Sequence, residues 1–158
     1  MKTTNQLKMM IAGVFLSFSI YSCKPSHVVT LLVDTDNISA QNVDNSCNFG
    51  QISTLSNMEF ATYAAKGERI IWGAISTSSP GTHDVIINKI KYKQGAKILN
   101  KTELKGKKIV VGKVKRGSPG DEGYYSIEFT VFKNGVKDAT YTLDPKIQVT
   151  SKKSLSME

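Results

Sequence analysis

Few residues in this chain are equipped for chemistry. It has two histidines, His27 and His83, and two cysteines, Cys23 and Cys47. A hydrolase needs a nucleophile, a base and an orienting group that converge in one pocket. No Gly-x-Ser-x-Gly elbow occurs. Ser76, Ser78 and Ser79 lead into Pro80-Gly81, a turn cluster in which hydroxyls serve the local backbone. Two histidines and two cysteines fall short of a zinc cluster or a disulfide framework. Asp34-Thr35-Asp36 opens like a calcium loop, but Ile38 holds the fifth position and no glycine holds the sixth. An irregular calcium loop would have to draw on Asp34, Asp36 and Asp44, and the plainer reading is a strand end whose side chains cap turns. The expectation is a protein without catalytic residues, metal or cofactor.

Cys23 has a different chemistry. Lys2 and Lys8 precede the twelve-residue apolar run Met9–Ile20, which suits an export signal and falls short of the roughly 20 residues a membrane span needs. Ile20-Tyr21-Ser22-Cys23 follows at once and resembles a bacterial lipobox, with Tyr21 bulkier than usual at its position. The resemblance makes Cys23 the lipidated first residue of the mature chain, and acyl chains at about 0.8 kcal/mol per buried CH₂ make a lasting anchor. Lys24 is not the aspartate associated with inner-membrane retention, so the expected location is the outer membrane, with the face unassigned. Cys47 is then left without a partner in the chain and reads as a buried, inert thiol.

Charge marks a second candidate. Between Lys89 and Arg116 stand eleven basic residues against one acid, Glu103, a net +10, whereas the whole chain carries +8. On a strand, Lys89, Lys91 and Lys93 share one face by period 2, and Lys113 and Lys115 do so on the next strand, with Arg116 beside them. The functional reading is a contact surface for a polyanion such as acidic polysaccharide or lipid phosphate, or for an envelope protein. The competing reading is a solvated sheet face with edge-protecting lysines. Nucleic acid is disfavoured, because lysine far outnumbers arginine and Tyr92 is the one aromatic in the stretch. Trp72, the single tryptophan, and His83 in the adjoining polar loop form the alternative candidate, a small-ligand or glycan pocket.

The elements that must position these residues are strands. Period-2 alternation marks segments at 29–33, 84–92, 109–114, 125–131, 139–143 and 147–149, and Ile70-Ile71-Trp72 is an apolar, β-prone run that adds a further strand. Gly112 suggests a bulge. Asn134-Gly135 supplies a type I′ hairpin turn, and Pro145 sits where a last strand begins. Ser56 and Glu59 form a capping box that would start a short helix. The fold class is therefore all-β: an antiparallel two-sheet sandwich of about seven strands, immunoglobulin-like or cupredoxin-like. The expected organisation is a signal peptide at 1–22, a lipidated N-terminus and tether at 23–28, the sandwich at 29–150 and a loose polar tail at 151–158.

Gly67-Glu68-Arg69-Ile70-Ile71-Trp72 followed by His83-Asp84-Val85 is similar to the first half of a cupredoxin, but residues 124–150 contain no Cys, His or Met to complete a copper site. Three segments together resemble the AidA/PixA family of bacterial inclusion-body-type proteins. They are Leu31-Leu32-Val33-Asp34-Thr35-Asp36-Asn37-Ile38, the Gly67–Trp72 stretch, and Asp144-Pro145-Lys146-Ile147-Gln148-Val149. The resemblance implies a compact β-sandwich without known catalytic residues, linked to host or community interactions. Two departures stand out. Only Met58 and Met157 remain after the signal, and a lipobox is incompatible with cytoplasmic inclusions. Signal and overall style also resemble small lipoproteins of Bacteroidetes-type bacteria. The resulting expectation is a non-enzymatic, lipid-anchored binding or structural module. The alternatives are the glycan pocket and a secreted host- or community-interaction effector, which an acylated Cys23 would keep on the cell.

Overall fold

The computed structural model describes residues 26–106 and 108–151. The expected signal peptide, Cys23, Lys107 and nearly all of the polar tail lie outside the described residues. Ten strands and one short helical turn build two facing sheets, a β-sandwich as the alternation demands. The strands are β1 (Ser26–Val33), β2 (Cys47–Asn48), β3 (Ala61–Ala65), β4 (Arg69–Ser76), β5 (His83–Gly95), β6 (Glu103–Lys105), β7 (Ile109–Lys113), β8 (Glu122–Lys133), β9 (Val136–Leu143) and β10 (Lys146–Thr150), and helix α1 spans Val43–Ser46.

One sheet runs β2-β1-β4-β7. The other runs β3-β10-β8-β5-β6, with β9 also paired to β8. The long β8 holds the second sheet together: β5 lies along one side, and β10 and β9 divide the other. Between the sheets, alternate residues of each strand interdigitate, with Leu31, Ile70, Ile87, Ile90, Ile127 and Phe129 among the fully buried side chains.

The all-β sandwich matches the sequence reading in class and differs in three details. Both sheets are mixed, because β1 runs parallel to β4 over eight residue pairs and β3 runs parallel to β10. A long crossover containing α1, β2 and β3 separates β1 from β4, so no tight turn imposes an antiparallel return. The strands number ten because β2, β3 and β6 are short, and the alanine-rich β3 has Thr62 as its single β-branched residue. β1 begins at Ser26, so 26–28 is strand and not tether, and His27 Nε2 bonds Glu68 at 2.7 Å.

The expected bulge at Gly112 is absent: Gly112 pairs in regular register with Ile70. The irregularities fall in β5, between Ile87 and Lys89 and between Tyr92 and Gln94, and in β9, where Asp138 is the extra residue opposite Val131 and Phe132. The Ser56–Glu59 box forms, the Ser56 amide donating to Glu59 Oε2 at 3.2 Å and the Glu59 amide to Ser56 Oγ at 3.3 Å. It closes a single turn and not a helix, since the chain extends into β3 from Ala61.

Candidate functional site

The two bulges of β5 decide where its lysines point. Ile87 and Ile90 are both buried, so the extra residue at Asn88 shifts the phase and turns Lys89 and Lys91 outward. Two of the three β5 lysines are then taken by acids. Lys89 Nζ lies 2.9 Å from Glu128 Oε2 on β8, and Lys93 Nζ lies 2.7 Å from Asp144 Oδ2 at the β9–β10 corner. Hydrogen bonding from Lys89 is the largest cause holding the Glu128 carboxyl below its ordinary value, and the bond to Glu128 raises Lys89 in return. Lys91 is exposed, with Glu103 and Ser126 as its cross-strand neighbours.

Lys113 belongs to β7 in the other sheet, and Lys115 and Arg116 follow it, their amides bonded to the Ile98 carbonyl. The six basic candidates are therefore divided between two sheets. What joins the stretch is the seam at which β6, ending one sheet, lies against β7, ending the other. Lys105, Lys108, Lys113, Lys115 and Arg116 follow this seam, and among the described residues none has an acidic partner within salt-bridge distance. The charge run was legible in the sequence. Its division was not, because Glu128 and Asp144 reach it from strands paired only in three dimensions.

Trp72 and His83 do not make a common pocket. Trp72 is 3% exposed and faces the core, its ring against Gly112, so it presents no platform to a ligand. His83 opens β5 and joins a polar knot that sequence reasoning missed. The fully buried Thr35 hydroxyl lies 2.7 Å from Ser76 Oγ, 3.1 Å from Ser78 Oγ and 2.9 Å from His83 Nδ1. Asp36 Oδ1 stands 3.3 Å from the same Nδ1, and Ser79 Oγ donates to Asp36 at 3.0 Å. Serine, histidine and aspartate are all present, yet hydroxyl and carboxylate share one ring nitrogen. A proton relay needs them on opposite nitrogens. The knot ties the end of β1 to the end of β4 and the start of β5. Its only sequence signal was the hydroxyl-rich run 76–79 opposite Asp34-Thr35-Asp36.

A solvent-open cavity of about 500 Å³ lies between α1, β2 and the 51–57 loop. Its polar floor is committed internally. The buried Asn57 donates from Nδ2 to the Cys47 carbonyl at 2.9 Å and accepts from Gln51 Nε2 at 2.9 Å. Cys47 is buried beneath, and burial, aided by Asp44 and Asp34, pushes its thiol up to about 12, which leaves almost no thiolate at neutral pH. The three aspartates of the calcium reading are dispersed: Asp34 accepts from Asn37, Asp36 from Ser79 and Asp44 from Asn57. Among the described residues no group of three or more His, Cys, Asp or Glu is placed to hold a metal ion.

No protein-family model matches the chain, and no curated protein matches it. Its fold is that of a PixA-like β-sandwich. The chain superposes on the crystal structure of an inclusion body protein, PixA, from Burkholderia cenocepacia, with a TM-score of 0.55 at 11% identity, over 84% of this chain and 100% of that one. At that identity the likeness is one of fold.

Proposed function

We propose that the protein is a non-enzymatic envelope module, lipid-anchored to the outer membrane through Cys23, that binds anionic polymers along its β6–β7 seam. The observation that carries this reading is the row of basic side chains Lys105, Lys108, Lys113, Lys115 and Arg116, without acidic partners among the described residues, where the two sheet edges meet. Lys89 and Lys93 drop out as contacts because their charge is already compensated, and Lys91 stays with the seam as an exposed cation. The non-enzymatic part is supported by the PixA-like fold, one solved example of which is an inclusion body protein, and by the single-sided arrangement around His83. The buried Trp72 takes support away from a glycan pocket. The lipobox also separates this chain from intracellular storage.

The test uses the 24–158 chain, which contains every strand of both sheets and the whole core. Its binding to lipopolysaccharide and to heparin is measured across a salt series. Release of counterions from about three contacts makes affinity fall about 20- to 40-fold between 50 and 200 mM salt. The triple variant Lys108→Glu, Lys115→Glu, Arg116→Glu, which leaves Lys113 on the four-stranded face untouched, is expected to lose the salt-dependent binding, whereas Lys93→Gln keeps it. Equal binding by all three proteins would return the seam to a solvated edge.

A further inference from the structure

The outward faces of the two sheets differ in kind. On the six-stranded sheet, Glu122 pairs with Lys146, Glu128 with Lys89, and the Thr130 hydroxyl with that of Thr140, and the exposed Tyr63 and Val136 stand singly on separate strands. On the four-stranded sheet, the outward positions are Val28, Leu32, Ile71, Ile75, Ile109 and Val111. Val28 is 72%, Ile109 62%, and Ile75 and Val111 each 51% exposed. The strand register gathers these side chains into rows. Val28, Ile71 and Val111 lie side by side across three strands, Thr30, Gly73 and Ile109 form the next row, and Leu32 stands beside Ile75. The row at the other end, where the chain begins β1, is Ser26, Arg69 and Lys113.

We propose that this face rests on the phospholipid bilayer that carries the anchor, its aliphatic rows entering the headgroup–acyl boundary and Arg69 and Lys113 meeting lipid phosphates. The proposal rests on the lipid-anchored reading of Cys23. Three observations converge on it. Three residue steps separate Cys23 from Ser26, a reach of at most about 11 Å, and Ser26 is itself an outward position of this face. A domain held so closely cannot carry the Ser26 row far from the membrane. The basic pair shares that row, as anionic headgroups require, and Asp34 and Asp36 follow the opposite end of β1. Val28, Ile71, Val111 and Ile109 adjoin one another across three strands, with Thr30 and Gly73 between them and Leu32–Ile75, whereas a soluble surface scatters its apolar residues singly. A second copy packed on the face would cover the aliphatic rows but would leave the placement of Arg69 and Lys113 beside the tether without a reason.

The experiment uses the full chain, matured in a Gram-negative host and reconstituted into phosphatidylethanolamine–phosphatidylglycerol vesicles. Val28→Cys, Ile75→Cys and Val111→Cys each carry a polarity-sensitive fluorophore, with Lys137→Cys on β9 as the control. The buried Cys47 stays unlabelled. The intact mass of the mature protein reports acylation of Cys23. With Cys23 acylated, the three face labels are expected to shift to the blue and to lose most of their emission to a doxyl-lipid quencher, while the Lys137 label does neither. Water-like emission from all four labels on an acylated chain would overturn the membrane contact and leave the anchor standing. Blue-shifted labels that the lipid quencher cannot reach would assign the face to a second copy. A mature chain without acyl mass would overturn the anchor and the proposal together.

Discussion

Gly112 has no side chain because Trp72 occupies the space one would need. A Cβ there would stand 2.9 Å from Trp72 Cζ3 and 2.9 Å from Leu104 Cδ1, inside normal contact distance. Leu104 can swing aside, but the indole is wedged in the core. Gly112→Ala is therefore expected to destabilise by about 1–3 kcal/mol, the usual cost of overpacking, read as a lower urea midpoint with an unchanged slope. An unshifted midpoint would mean that the indole has room to move. The pairing of a glycine with a tryptophan forty residues away leaves no mark in the local pattern, and this is why Gly112 reads as a bulge in the sequence. The same blindness covers Thr35, whose neighbours form a familiar turn cluster and whose three hydroxyl and imidazole partners come from elsewhere in the chain.

The β8–β9 hairpin is the element most fully written into its own residues. Asn134 and Gly135 have φ of 52° and 77°, the left-handed pair that a two-residue turn requires, and Lys133 pairs with Val136 across it. Gly135→Ala places a Cβ in that region and should cost about 1–2 kcal/mol, whereas Asn134→Gly keeps the geometry and should leave the thermal midpoint nearly unchanged. Equal losses from both would show that the turn depends on the Asn134 side chain and not on backbone freedom. Strand direction was not legible in the same way. Alternation is identical for parallel and antiparallel neighbours, and only a short connection fixes the choice. The β8–β9 return was therefore readable, and the parallel β1–β4 and β3–β10 pairs were not. The lysine face of β5 was readable in part: period 2 put Lys89 and Lys91 on one face, but the bulge at Asn88 that turns this face outward has no local mark, and the acids that meet Lys89 and Lys93 belong to β8 and the β9–β10 corner.

On the scale of the molecule, charge is sorted by sheet, and pH should expose the sorting. The six-stranded sheet carries Lys89–Glu128 and Lys146–Glu122. The four-stranded sheet turns out branched aliphatic residues. A signal for this was present in β1 and β4, where Leu31-Leu32-Val33 and Ile70-Ile71-Trp72 are apolar on both faces of the strand. Three acids titrate below their ordinary range: Glu128 chiefly through Lys89, Glu59 through the Ser56 hydroxyl and Asp34 through the Asn37 amide. A carboxyl lowered by folding contributes stability that is present above its ordinary value, 4.5 for Glu128, and lost as pH falls through the folded value. Lys89 and Lys146 are raised by Glu128 and Glu122, so their contribution is complete below 10.5 and lost as pH rises through the folded value. Stability of the 24–158 chain should accordingly show a plateau between those limits and fall at both ends. Glu128→Gln should lower the plateau slightly, since water screens a half-exposed pair, and flatten the acid limb, with both effects shrinking in high salt. Urea midpoints at closely spaced pH values check this. An acid limb as steep in Glu128→Gln as in the parent chain would move the acid sensitivity to Asp34 and Glu59, on the loops outside this sheet.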